Sequence, residues 1–233
     1  IKDDLEIHDH LSIVYTSKDM FSEAYEELQT LSKAQPDNVQ IFIRMANIAF
    51  MMENYGAMAT ACEKAILLDS ENATAHYLYA EACKGQGDDV NTIAMATKAI
   101  SIDNKQGNAY LLRGETYLRT QQLTEAEADA DWLLEHTEDN EDVLLLKARI
   151  ERAANRNNEA IEYFTKAIDA NPFSYNAFKE RSEMYSLIGN EVKAKEDAER
   201  AEELKPTDGK ENAEENIEKQ LNDKYKQMNP YGF

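Results

Sequence analysis

The feature that most constrains this chain is a period. Aligned against itself, the sequence agrees at an offset of 34 residues. Lys-Ala-Ile at 64–66 falls on Lys-Ala-Ile at 98–100 and 166–168, Asp-Asn at 37–38 on Glu-Asn at 71–72 and Asp-Asn at 139–140, and Pro172 and Pro206 lie one period apart. Six units follow without insertion: 5–38, 39–72, 73–106, 107–140, 141–174 and 175–208. A fixed period of this length marks stacked supersecondary units, none of which can bury its apolar faces alone.

Within a unit the pattern is helical. In unit five, Leu144, Ala148 and Glu151 follow i, i+4, i+7, and Ala160, Phe164, Ala167 and Ile168 repeat that spacing, which predicts two amphipathic helices of about 12–14 residues. The gap between them, Asn155 to Asn158, is polar, and in unit six it holds the helix-stop pair Gly189-Asn190. Eight Gly and four Pro favour long helices over short strands and tight turns. Residues that let the two helices approach closely recur at unit position 8 (Ser12, Ala46, Ala80, Gly114, Ala148, Ser182), at position 20 (Ala24, Ala126, Ala160, Ala194) and at position 27 (Ala65, Ala99, Ala167, Ala201).

A 34-residue period with small residues at positions 8, 20 and 27, aromatics near 4, 11 and 24 and Pro at 32 resembles the tetratricopeptide repeat family, over residues 5–208. Position 11 is Tyr in units one, four and six (Tyr15, Tyr117, Tyr185) but Ala49, Cys83 and Glu151 elsewhere. The resemblance implies an all-α fold: a right-handed α-solenoid (superhelix) of six helix-turn-helix units, with first helices lining a concave groove. Residues 1–208 then form the solenoid and 209–233 a C-terminal capping helix and short tail. Ala213, Ile217, Leu221, Tyr225 and Met228 make one apolar seam on that segment. Tyr231-Gly232-Phe233 after it reads as a loose end or as an aromatic docking segment.

Composition and motifs narrow the function. A net charge of −20 repels phosphate backbones and anionic membranes, so nucleic acid is not an expected partner. The most apolar stretch, Ile41 to Met52, contains Arg44 and Asn47, short of the roughly 20 apolar residues a bilayer needs. The chain begins at Ile1, as a processed or excised polypeptide would, and its compartment stays open. His8, His10, His76 and His136 are scattered, and no metal-binding, nucleophile-elbow or phosphate-loop motif appears. Gly85-Gln86-Gly87 reads as an interhelix turn. Cys62 and Cys83 fall at core positions of adjacent helices, as small hydrophobes, although a disulfide between them is geometrically conceivable. Glu125, Glu127, Asp129 and Asp131 alternate with alanine and scatter around their helix as a solvated face, not a carboxylate dyad. Neither a cofactor nor catalysis is expected.

Two finer patterns stand out. Arg113 and Arg181 occupy position 7, usually apolar, and position 23 of the same units is Asp129 and Asp197. Facing helices of one hairpin predict structural salt bridges Arg113–Asp129 and Arg181–Asp197. The family's concave wall is formed mainly by positions 2, 5, 9 and 12, which share a helical face. On this chain that gives a peptide-binding groove with an apolar middle (Ile43, Phe50, Tyr77, Leu111, Leu118, Leu145), polar Asn47, Glu81, Lys84 and Glu115, and a basic C-terminal end (Arg149, Arg152, Lys179). Unit five carries only −1, which suits an acidic ligand group. The expected partner is a protein or peptide segment with apolar side chains and an acidic end. Two other readings stand beside it: burial of these residues between neighbouring first helices, and self-contact in a homo-oligomer. The carboxylate clamp of chaperone-tail binders is incomplete, since Ile43, Asn108 and Leu112 stand where its basic partners belong. Trp132, at position 26, belongs on the outer face of a second helix, either packed on a neighbour or exposed as a binding hot spot.

Overall fold

A computed structural model describes residues 2–138 and 140–205. Among these residues there are twelve α-helices and no strand: α1 Lys2–Ser17, α2 Phe21–Ala34, α3 Val39–Met51, α4 Tyr55–Leu68, α5 Ala73–Gly85, α6 Asp89–Ile102, α7 Gly107–Arg119, α8 Leu123–His136, α9 Glu141–Ala153, α10 Asn157–Ala170, α11 Tyr175–Leu187 and α12 Glu191–Leu204. From α3 onward the spans keep the period, with first helices at unit positions 1–13 and second helices at 17–30. The segment expected to form a capping helix, 209–233, lies outside the described residues.

Local chemistry sets the boundaries. Position 34 caps the next first helix: the side chains of Asn38, Asn72, Asn140 and Ser174 accept backbone N–H bonds from its first turn. Asn54, Asp88 and Asn190, at position 16, do the same for second helices. Between the two helices of every hairpin one residue is left-handed, always position 15: Asp19, Glu53, Gly87, Gln121, Asn155 and Gly189, with φ from 54° to 77°. This residue ends the first helix and turns the chain. Only two of the six are glycine, so the turn geometry is imposed by hairpin packing, not by glycine content.

The helices stack in sequence, each packing on the one before and the one after. The small-residue columns form the seam: Ala24, Ala46, Ala65, Ala80, Ala99, Ala126, Ala148, Ala160 and Ala167 have no exposed surface. Larger side chains fill the space between hairpins, among them Leu28, Met58, Leu133, Leu146, Ile150 and Phe164. Gly114 marks a close approach in this seam, where a Cβ would stand 3.0 Å from Leu146 Cδ2 and 3.3 Å from Asp129 Cβ. Position 3 of each internal first helix is covered by the preceding hairpin: Ile41, Ala75, Ala109, Val143 and Ala177 are buried. In unit one the same column holds Ile7, which is 55% exposed.

Candidate functional site

The inner face follows from which helices meet. First helices of successive hairpins contact one another directly, α3 with α5, α5 with α7 and α7 with α9, besides their contacts with the intervening second helices. First helices thus converge while second helices spread apart, which curves the stack and places positions 5, 9 and 12 on its concave side.

Those columns divide by burial. Ile43 and Leu145 are buried; they pack between hairpins and offer no surface to a ligand, so the accessible apolar middle is smaller than the sequence suggests. Tyr77, Leu111 and Leu118 are half-buried and Phe50 is exposed. The Tyr77 hydroxyl donates to Glu81 at 2.9 Å. Burial first, and then the Glu81 carboxylate, push that phenol well above its ordinary pKa. A cavity of about 340 Å³ opens between α5, α7 and α9, with Thr116, Leu118 and Leu146 against Lys84, Glu115 and Arg149.

The polar groups of this face are bonded to one another across hairpins. Lys84 Nζ lies 2.8 Å from Glu115, a bond from position 12 of one unit to position 9 of the next. Arg149 donates twice to one oxygen of Glu180, at 2.8 and 2.6 Å. Arg152 lies 3.0 Å from the other oxygen and 3.5 Å from Glu183. The two arginines of the expected basic end are therefore already matched by carboxylates of unit six. Lys179 is exposed and stands 5.7 Å from the Tyr175 ring. A second cavity, about 280 Å³, lies among Arg149, Arg152, Lys179 and Glu183. Glu180, at position 6, was not among the residues read from the concave columns. Its signal was an acid 31 and 28 residues after two arginines. Asn47 and Glu81 complete the inner face, exposed and half-buried respectively.

Position 7 carries the strongest ion pairs. Arg113 Nε and Nη2 donate to the two oxygens of Asp129 at 2.9 and 2.7 Å, and Nη1 donates to Thr97 of the preceding unit at 3.0 Å. Arg181 repeats this geometry two units later, with Asp197 at 2.7 and 2.8 Å and Thr165 at 3.0 Å. Each guanidinium also lies between two rings, Tyr110 and Tyr117 in one case, Phe178 and Tyr185 in the other. Both arginines thus tie a hairpin to itself and to its predecessor. In unit five position 7 is Lys147 and position 23 is Tyr163, which offers no carboxylate. The buried Lys147 turns to α8 instead, meeting Asp131 at 2.6 Å and Glu127 at 3.2 Å, and reaches Glu151 on its own helix at 3.3 Å. Arg156 joins Glu151 and Glu127 to the network. Of the acidic run on α8, Asp129 alone is buried, in its pair with Arg113; the half-buried Glu127 and the exposed Asp131 also hold Lys147, and Glu125 is exposed.

Trp132 stacks on Tyr110 at 3.8 Å between centroids and on His136 at 4.2 Å, with the three rings nearly parallel. The remaining candidates have structural roles. His76 is buried and bonds Ser70 O at 3.0 Å; His8 pairs with Glu27. Cys62 and Cys83 are free and buried, and burial pushes the Cys62 thiol to about 12, far from reactivity at neutral pH. Among the described residues no group of three His, Cys, Asp or Glu is placed to hold a metal ion, and no helix is long and apolar enough to cross a membrane.

The tetratricopeptide repeat family model matches residues 111–175 and 145–208. No curated protein matches the chain. Among solved structures, a tetratricopeptide repeat protein from Parabacteroides merdae superposes with a TM-score of 0.77 at 19% identity, over 88% of this chain and 81% of that one. The type IV pilus biogenesis factor PilW gives 0.75 at 18%, over 83% and 90%. YrrB, described as a TPR protein with an unusual peptide-binding site, gives 0.62 at 19%, over 78% and 93%. At these identities the likeness shows the shared fold. The family signature spans residues 111–208 and the same hairpin repeats from α1 to α12, so the chain resembles the tetratricopeptide repeat family in sequence over its C-terminal units and in fold over all the described helices.

Proposed function

We propose that this protein is a non-catalytic scaffold that binds a polypeptide segment along its concave face. The observation that carries the reading is the cavity between α5, α7 and α9. It combines the half-buried, apolar Leu118, above a floor closed by the buried Leu146, with charged groups already held in fixed positions by ion pairs. A preformed cleft of this kind loses little conformational entropy when it binds, and an apolar recess with a few oriented polar groups is what side-chain recognition needs. The partner inserts apolar side chains beside Leu118, Leu111 and Tyr77 and toward Phe50. An acidic group on it goes to Lys179, because Arg149 and Arg152 are occupied by Glu180. The peptide-binding site of YrrB, a protein of the same fold, adds a precedent but no residue assignment.

The test is a peptide selection from a random display library against the wild type, followed by binding measurements on Leu118→Glu and Phe50→Glu. Both side chains are partly accessible, so the variants keep the helical circular dichroism of the wild type. Loss of at least tenfold in affinity for the selected peptides is expected. Unchanged affinity in folded variants rules out this face.

A second reading rests on α1. Ile7 and Val14 are 55% and 43% exposed in columns that every other unit buries, so the N-terminal end face could seat a second copy. Sedimentation equilibrium of wild type and Ile7→Glu/Val14→Glu separates the two: a dimer abolished by the substitutions supports assembly, and a monomeric wild type removes it.

A further inference from the structure

The aromatic stack on unit four has a vacant counterpart on unit five. Tyr110, Trp132 and His136 stand at positions 4, 26 and 30 of their unit. One period later these positions hold Leu144, Lys166 and Ala170. Each ring is replaced by a side chain without one, and the backbone between them is unchanged: α9 and α10 repeat the lengths of α7 and α8. The space the rings would fill is open. It forms a cavity of about 460 Å³, lined by Leu144, Lys166 and Ala170 together with Leu134, Tyr163 and Asp169. This cavity lies on the opposite side of α9 from the groove and shares no lining residue with the concave cavities.

We propose that this recess binds an aromatic side chain, an indole above all, presented by a partner polypeptide. Unit four shows what the site accepts, because there the protein fills it with its own tryptophan. On unit five the incoming ring would meet aliphatic Leu134 and Leu144 as its floor. Lys166, whose ammonium stands 4.6 Å from the Tyr163 ring centroid, supplies a cation at the rim able to face a second ring. Asp169 offers an acceptor for an indole N–H or phenol O–H, the polar handle such side chains need when half-buried. An aliphatic side chain would gain neither contact, so the recess discriminates by ring chemistry. The site is independent of the concave-face reading and lets the scaffold hold two segments at once.

The test is methyl NMR of the full chain titrated with N-acetyltryptophanamide, with N-acetylleucinamide as control. Saturable ring-current shifts at the Leu134 and Leu144 methyls are expected, with a dissociation constant on the order of 1 mM or tighter, and no saturable change with the leucine amide. The variant Leu144→Tyr/Lys166→Trp restores the Tyr–Trp pair of the unit-four stack, so it should fold, melt higher than the wild type and lose the binding at least tenfold. Equal response to the two amides, no saturable shift, or full binding by the filled variant overturns the proposal. So does a free protein whose Leu144 methyls are already ring-shifted and relax in Tyr231→Ser/Phe233→Ser, because the occupant would then be the chain's own C-terminal segment.

Discussion

Replacing Arg113 with methionine isolates the energetics of the position 7 pairs. The Arg113 and Asp129 side chains are 15% and 5% exposed, so removal of the guanidinium strands a carboxylate away from water. Two charge-assisted hydrogen bonds and the bond to Thr97 disappear with it. Breaking a buried pair from one side costs roughly 3–5 kcal/mol, whereas replacing both partners by apolar groups is often neutral. Arg113→Met should therefore lower unfolding stability by about 3 kcal/mol in urea denaturation, and Arg113→Met/Asp129→Leu should recover most of that loss. Burial already holds the Asp129 carboxyl above its usual pKa, with Arg113 pulling the other way. Once Arg113 is gone nothing opposes burial, so the cost should shrink as pH falls and Asp129 takes up a proton. Position in the stack adds a second contrast. Stability in a solenoid is local and nearest-neighbour in character, so Arg113→Met should raise hydrogen exchange in α6–α8, and Arg181→Met only in α10–α12. A single-variant cost below about 1 kcal/mol, or a double variant no better than the single, would refute the reasoning.

Three further outcomes follow from the geometry. Gln121 is left-handed at φ 62°, where a side chain costs about 1 kcal/mol; Gln121→Gly should stabilise modestly, and the same turn in Gly87→Ala, at φ 76°, should lose about as much, both read as shifts in urea midpoint. A Cβ on Gly85 would fall 2.3 Å from the Tyr55 ring, so Gly85→Ala should destabilise by roughly 1–3 kcal/mol, relieved by Tyr55→Ala in the same chain. Burial raises the Glu151 pKa, but bonds from Arg156 and Lys147 outweigh it and hold the carboxyl below its ordinary 4.5; its contribution is complete above pH about 4.5 and fades as pH drops through the lowered value, so Glu151→Gln should flatten the acid limb of the stability–pH profile.

What could be read from the sequence depended on how far apart the interacting residues lie. The period is legible because stacking demands small residues in fixed columns, and Ala46, Ala80 and Ala148 show it directly. Arg113–Asp129 and Arg181–Asp197 lie within single hairpins, sixteen residues apart, where the facing positions follow from two helices and one turn. Lys147 escapes that logic, because Tyr163 opposite it forces its amine back to Glu127 and Asp131 on the previous hairpin. The concave face shows the same limit. A column lists what points inward, but only the spacing between hairpins decides that Ile43 and Leu145 are covered while Phe50 is not. Neutralisation of Arg149 and Arg152 by Glu180 likewise depends on a position outside the columns considered. The empty recess on unit five becomes visible only when Leu144, Lys166 and Ala170 are set against the filled stack one period before.

The concave-face assignment is tested most directly by methyl NMR with a display-selected peptide. The account predicts chemical-shift changes at Leu111 and Leu118, with Val90 and Val192, exposed on second helices, unmoved. Perturbation of Val90 or Val192 with Leu111 and Leu118 silent would contradict it.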